Sequence, residues 1–269
     1  MDEPRQATNN EARDRIESIR EDIRIPHPSL KFPKGEIVVP WRTIATVDRI
    51  ALLGGFRVSE VVSKYPRSKR GGNTSDTMTI TVTEHNNTGE EVLMIKVTTL
   101  KKRSKVTRDV GVPLSSQHEP LAKFILNEWE RSGGKPCNID RYQAWRANRE
   151  IFRGLSYKVR PQVIYEHDEL GKIVKDERGR SKIAREIPEH MKQATDHFLR
   201  HIRANELREL QLTAEERVSF FKWSAGGVGM NPMLFTYSMP DWFTYFPKLL
   251  KRSYKPQPKP GGKWVFVEE

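Results

Sequence analysis

The sequence predicts an α+β chain, mostly α-helical, with one small three-stranded antiparallel sheet. Two patterns carry this expectation. Apolar residues fall at helical spacing in several stretches, among them Trp41, Ile44, Ala45, Val47, Ala51 and Leu52, and later Leu121, Phe124, Ile125 and Trp129. One region alternates instead. Thr77 to Thr83 and Glu91 to Leu100 read as strands around the turn Asn86-Asn87-Thr88-Gly89, and Val106 to Leu114 as a third strand.

Residues 1–39 are expected to form an arm and linker. They carry a thin amphipathic helix (Ile16, Ile19, Ile23), capped near Asn9 or Asn10, and a proline-bearing extended run from Ile25 to Pro33. The core is expected to start near Val39 and to fill residues 40–252. A helix from Pro40 to Leu53 is interrupted by Gly54-Gly55. Two more helices cover 119–131 and 140–153, and an exposed, partly β insertion spans Val159 to Ile187. The next helix starts at Thr195 or Asp196. Thr213-Ala214-Glu215-Glu216 has capping-box spacing ahead of another. Asn231-Pro232 then reads as a cap and first helical residue, and Asp241 caps a last amphipathic helix. The tail, 253–269, holds Trp264-Val265-Phe266-Val267, a strand available to a partner.

Composition narrows the partner. A chain of 269 residues with 36% hydrophobic content can bury one sizeable core, and a net charge of +12 points to a polyanion, nucleic acid first. Apolar runs are broken by Asp48-Arg49 and Pro240-Asp241, well short of a membrane span of ~20 residues. Met1-Asp2-Glu3-Pro4-Arg5 lacks the apolar core of a signal peptide, and Cys137 is the single cysteine. The expected setting is intracellular, cytoplasmic and nucleoid-associated, with no cofactor and no metal.

The stretch with the most chemistry is His197-Phe198-Leu199-Arg200-His201. On a helix, His197, Arg200 and His201 share one face while Phe198, Leu199 and Ile202 pack elsewhere. A second arginine, Arg57, follows the glycine break, with Glu60 one turn on, placed to hold its guanidinium or to form a plain helix ion pair. Lys101-Lys102-Arg103-Ser104-Lys105 puts cations at a hairpin tip, as phosphate contacts or as a solvated charge run. His197 and His201 have the spacing of zinc ligands, but Phe198 stands where a metalloprotease helix has its glutamate. Gly226-Gly227-Val228-Gly229 lacks the lysine-serine/threonine pair of a phosphate loop.

Breaking a DNA phosphodiester without metal needs a nucleophile, cationic donors for the developing charge and an acid for the leaving hydroxyl. The order Arg57-Val58-Ser59-Glu60, a basic hairpin, His197-x-Leu199-Arg200-His201, Trp223 and Tyr237 resembles the tyrosine recombinase (phage integrase) family, particularly its archaeal members. The resemblance covers residues 40 to 250 and implies a tyrosine recombinase catalytic domain. It implies that Arg57 and Arg200 clamp the phosphate, that His197 handles protons, that Trp223 donates a ring N–H and that Tyr237 is the nucleophile. Glu60 and His201 support these groups. Lys101 is the general acid, with Lys102 and Lys105 close in register, and Lys102, Arg103 and Lys105 touch DNA. The implied partners are double-stranded DNA and further copies in a synaptic tetramer. The family's helical DNA-clamping domain has too little chain ahead of Arg57 here, so either it has been removed or the 1–39 arm does part of its work. The Trp223-to-Tyr237 interval exceeds the family's usual spacing and leaves Tyr245 as the alternative nucleophile. A type IB topoisomerase-like enzyme and a non-cleaving DNA-binding or architectural protein are the other readings.

Overall fold

The structure, a computed structural model, describes residues 8–27, 35–62, 78–99, 106–159, 161–169, 172–222, 240–255 and 265–268. It is α+β, and its contacts divide it into a main unit of residues 8–152 and 195–269 and a smaller unit built on residues 153–194.

In the main unit, α1 (Asn9–Glu17) begins at Thr8, whose hydroxyl caps Glu11 while Glu11 returns the bond to the Thr8 N–H. Strands β1 (Ile23–Pro26) and β2 (Glu36–Val39) pair antiparallel, Ile25 opposite Ile37. Helix α2 (Trp41–Gly54) is buried along most of its length and ends on Gly55 in the left-handed conformation. The four-residue turn of helix α3 (Val58–Val61) follows. Next comes the expected sheet, β3 (Met78–His85), β4 (Glu90–Thr99) and β5 (Val106–Pro113), in the order β3-β4-β5 with Ile80, Ile95 and Val110 in register. The turn at 86–89 closes on Gly89, whose φ of +69° suits a residue without Cβ.

Helices α4 (Ala122–Arg131) and α5 (Arg141–Ile151) come next, the second capped by Asp140 through Gln143. After the smaller unit come α6 (Asp196–Glu209), α7 (Ala214–Phe221) and α8 (Trp242–Leu249). The Thr213–Glu216 capping box and the Asp241 cap both form as the spacing predicts. Helix α2 packs against α6, so the two arginine-bearing segments are neighbours through their own helices. Val265–Glu268 pairs within the chain, with Arg252–Lys255, instead of waiting for a partner. In the smaller unit, Ser156–Val159 pairs with His190–Gln193 and Gln162–Tyr165 with Ile183–Ile187, which agrees with an exposed β insertion.

Residues 8–39 are not a separate arm. Arg13 of α1 is 1% exposed; its guanidinium binds Glu119 (Nη1 to Oε1, 2.8 Å) and Glu206 of α6 (Nη2 to Oε2, 3.0 Å, and Nε to Oε1). Ile16, Ile25 and Val39 belong to the apolar core. An amphipathic helix is read from its own sequence as solvent-facing on its polar side, and a charge pair spanning the fold reverses that reading. Burial alone would raise the Glu206 carboxyl, but Arg13, Arg252 and Arg203 outweigh it and hold Glu206 well below the usual carboxylate range. No helix among the described residues is long and apolar enough to cross a membrane.

A second buried acid behaves in the opposite way. Asp48 of α2 is fully enclosed, accepts one hydrogen bond from Asn148 Nδ2 at 3.0 Å and leaves Oδ2 without a partner, so burial pushes its carboxyl up to about 7.

Two predictions follow from these groups. Arg13→Met takes the guanidinium from buried Glu119 and leaves Glu206 to Arg203 and Arg252, and is expected to cost about 3–5 kcal/mol of unfolding free energy, read by urea denaturation; a loss below about 1 kcal/mol contradicts the anchoring role. The raised Asp48 carboxyl binds a proton in the folded state that the unfolded chain releases above its ordinary value near 3.8. Its stabilisation is therefore present below about pH 4 and lost as pH rises to about 7. Denaturation midpoints across that window are expected to decline in the wild type and to flatten in Asp48→Asn.

Candidate active site

Four charged side chains gather where α2 ends. Gly54 and Gly55 let this corner close. A Cβ on Gly54 would stand 2.0 Å from the Phe56 ring, and one on Gly55 2.3 Å from that of Phe221, with Gly55 at φ +58° besides. The tight corner leaves the carbonyls of Gly54 and Gly55 available inside the protein. Arg200, reaching across from α6, donates from Nη1 to Gly55 O at 2.6 Å and from Nη2 to Phe221 O at 3.2 Å, with its guanidinium 4.7 Å from the Phe221 ring centroid. Arg108 of β5 donates to the Gly54 carbonyl and, at 3.4 Å, to that of Gly55, and lies 4.3 Å from the Phe56 ring centroid.

Arg57 begins α3 two residues past Gly55. Glu60, 1% exposed, accepts from its backbone N–H at 2.8 Å and from its guanidinium Nη1 at 3.2 Å. One carboxylate thus fixes the main chain and the side chain of Arg57 together, more than a surface ion pair does. The Arg57 side chain keeps 33% of its surface exposed, whereas residue Arg200 keeps 6%.

The electrostatics follow from this crowding. Burial, then the guanidiniums of Arg108 and Arg57, push Arg200 down to about 9, and Glu60 pulls the other way. Burial likewise lowers Arg108 to about 10, with Glu60 and Tyr245 opposing and Arg57 adding to the shift. Arg57 adds to the lowering of both Arg200 and Arg108 while Glu60 opposes it, so an anion entering beside Arg57 would ease the crowding of like charge.

Arg200 does not share an environment with the two histidines. It points into the Gly55 corner, while His197 and His201 lie exposed on α6 with rings edge-to-face at 5.1 Å. The helical spacing is as predicted; burial separates the members, because positions three and four residues on fall to opposite sides of His197 and Arg200 takes the side that meets Gly55. Phe198, Leu199 and Ile202 are buried as expected. Tyr245 is 1% exposed against Phe220, and burial raises its phenol, which marks it as a packing residue. Lys101, Lys102, Arg103, Lys105, Trp223 and Tyr237 lie outside the described residues, as do Gly226 to Gly229 and Asn231-Pro232. Among the described residues no group of three or more His, Cys, Asp or Glu side chains is placed to hold a metal ion.

Arg108 is the site residue that sequence reasoning missed. The signal was present: Arg108, Val110 and Val112 alternate in phase, and all three are buried. An arginine on the apolar face of a strand needs acceptors inside the protein, which the Gly54-Gly55 corner supplies.

Comparison with protein-family models, curated proteins and solved structures finds no match to this chain.

Gly55→Ala is expected to lower stability by about 2–4 kcal/mol, from the left-handed backbone and the contact with Phe221. A thermal midpoint equal to wild type contradicts the close corner.

Proposed function

We propose that this protein is a DNA-breaking and rejoining enzyme of the tyrosine recombinase type, acting through a 3′-phosphotyrosine intermediate without metal. The observation that carries the reading is the meeting of Arg57 and Arg200 at one corner: 143 residues apart in sequence, Arg200 donates to the carbonyl of Gly55 two residues before Arg57, and the Arg57 guanidinium helps lower Arg200. Two planar guanidiniums suit the non-bridging oxygens of a phosphodiester, since each can donate in parallel to two oxygens. Glu60 pre-orients Arg57, so little side-chain freedom is lost when a phosphate arrives. His197 and His201 lie exposed to solvent on the same helix as Arg200, and imidazole is the side chain suited to handling protons in such a reaction. Tyr237 supplies the nucleophile. Its free pKa is ~10, so a neighbouring base or cation must assist its loss of a proton. Lys101 protonates the 5′ oxygen that leaves, and Trp223 adds a donor to the phosphate. Attack by the phenol oxygen forms a phosphotyrosine bond and releases the 5′ hydroxyl; return of that hydroxyl, or of one from another strand, restores the phosphodiester.

A second reading has its own support. Arg200 spends two hydrogen bonds on backbone carbonyls and is almost wholly enclosed, as a structural arginine would be. On that reading the chain coats or bends DNA without cutting it, and its net charge of +12 supplies the affinity.

A nicked duplex that releases its 5′ fragment on cleavage separates the two. The intact chain is expected to be trapped as a covalent protein–DNA adduct on a denaturing gel, and Tyr237→Phe to give none. Adduct in Tyr237→Phe would move the nucleophile elsewhere, and DNA binding with no adduct in the wild type would favour the non-cleaving protein. Arg57→Ala is expected to slow adduct formation roughly 100- to 1,000-fold, with DNA affinity changed only a few-fold because one phosphate contact among many is lost. Equal loss of both would count against the clamp.

A further inference from the structure

We propose that Arg108 is a positioning residue for the Arg57–Arg200 pair, acting through the carbonyl oxygen of Gly55. The inference rests on the reading of that pair as the phosphate clamp, and it assigns a role to a strand residue outside every motif of the sequence. Gly55 O accepts from Arg108 Nη1 at 3.4 Å and from Arg200 Nη1 at 2.6 Å, while the other terminal nitrogen of Arg108 holds Gly54 O. The sheet therefore grips one carbonyl, that of Gly55, which α6 grips as well, and the carbonyl just before it. Arg57 begins two residues further on, so the direction in which α3 leaves the corner, and with it the Arg57 guanidinium, is set by how Gly54 and Gly55 are held.

Alternatives for Arg108 are weaker. It is 1% exposed and cannot touch DNA from where it lies, so it is no direct ligand. A purely apolar side chain would fill a strand position in phase with Val110 and Val112 at lower desolvation cost. What an arginine adds is a fork of donors for two successive carbonyls and a fixed positive charge behind the clamp. Its Nε has no partner among the described residues, so the side chain is spent on the two glycine carbonyls and not on a wider network. The Phe56 ring, 4.3 Å from the guanidinium carbon, keeps the fork from swinging away.

Two variants of the full chain test this. Arg108→Lys keeps the charge and loses the fork; Arg108→Met keeps the stem against Phe56 and loses both. In protein carrying 15N-labelled arginine, the side-chain Nε–H resonances of Arg57 and Arg200 report the corner, and that of Arg13 reports the ion cluster joining α1 to the far end of α6. Both variants are expected to shift Arg57 and Arg200 and to leave Arg13 in place. At saturating nicked duplex, single-turnover adduct formation is expected to fall about 10- to 100-fold in Arg108→Lys and further in Arg108→Met, as misplacement by a fraction of an ångström predicts, with half-saturating DNA concentration changed less than about threefold. Unmoved Arg57 and Arg200 resonances overturn the proposal whatever the activity. So does a wild-type rate in Arg108→Lys, and so does loss of the Arg13 resonance in both variants, which would make Arg108 a folding residue. Shifted corner resonances in a chain whose wild type forms no adduct uphold the positioning role and sink the recombinase reading alone.

Discussion

A single carbonyl oxygen, that of Gly55, joins the elements that form the candidate site. It ends α2, it accepts from Arg200 on α6 and from Arg108 on β5, and it lies two residues before Arg57. A buried carbonyl needs a donor, and a buried guanidinium needs acceptors, so the two requirements satisfy each other. Gly54 and Gly55 are what allow the approach, since a methyl group at either would overlap an aromatic ring. The outcome is a concentration of positive charge that folding tolerates because Arg108 and Arg200 each have carbonyl oxygens and an aromatic face around them and Arg57 has the Glu60 carboxylate.

Helix α6 is held at both ends by charge. Near its start Arg200 ties it to the corner; near its finish Glu206 is clasped by Arg13, Arg203 and Arg252 and makes α1 part of the same core. Breaking such a cluster costs far more than forming it returns, because the partner left behind is an uncompensated buried ion. That asymmetry makes the cluster a device for fixing where α6 lies along α2, and hence where Arg200 meets Gly55. The site's geometry depends in this way on α1, whose sequence carries no sign of catalysis.

Local features were legible in the sequence. The capping box at Thr213–Glu216, the cap at Asp241, the Asn86–Gly89 hairpin turn and the pairing of Glu60 with Arg57 all depend on residues within a few positions of one another, so spacing alone carries them. Features that depend on distant chain were not. Arg13 meets Glu119 and Glu206 across 106 and 193 residues, and nothing in residues 8–39 announces those partners, so a docked helix read as a free arm. Arg200 read as one of three residues on a polar face because the histidines flank it; what encloses it comes from the end of α2 and from Phe221 of α7, not from α6. Arg108 was visible as an arginine in phase with valines, yet strand alternation says only that it points inward, not what it meets there. The arginine pair was thus readable as residues, and their meeting point only as structure.

The central claim is that Arg57 and Arg200 serve one phosphate. A crystal structure of the chain bound to a nicked duplex tests it most directly. The account predicts both guanidiniums within hydrogen-bond distance of the same scissile phosphate, with Arg57 still held by Glu60. DNA phosphates crossing a different face of the protein, with the Gly55 corner closed and untouched, would contradict it.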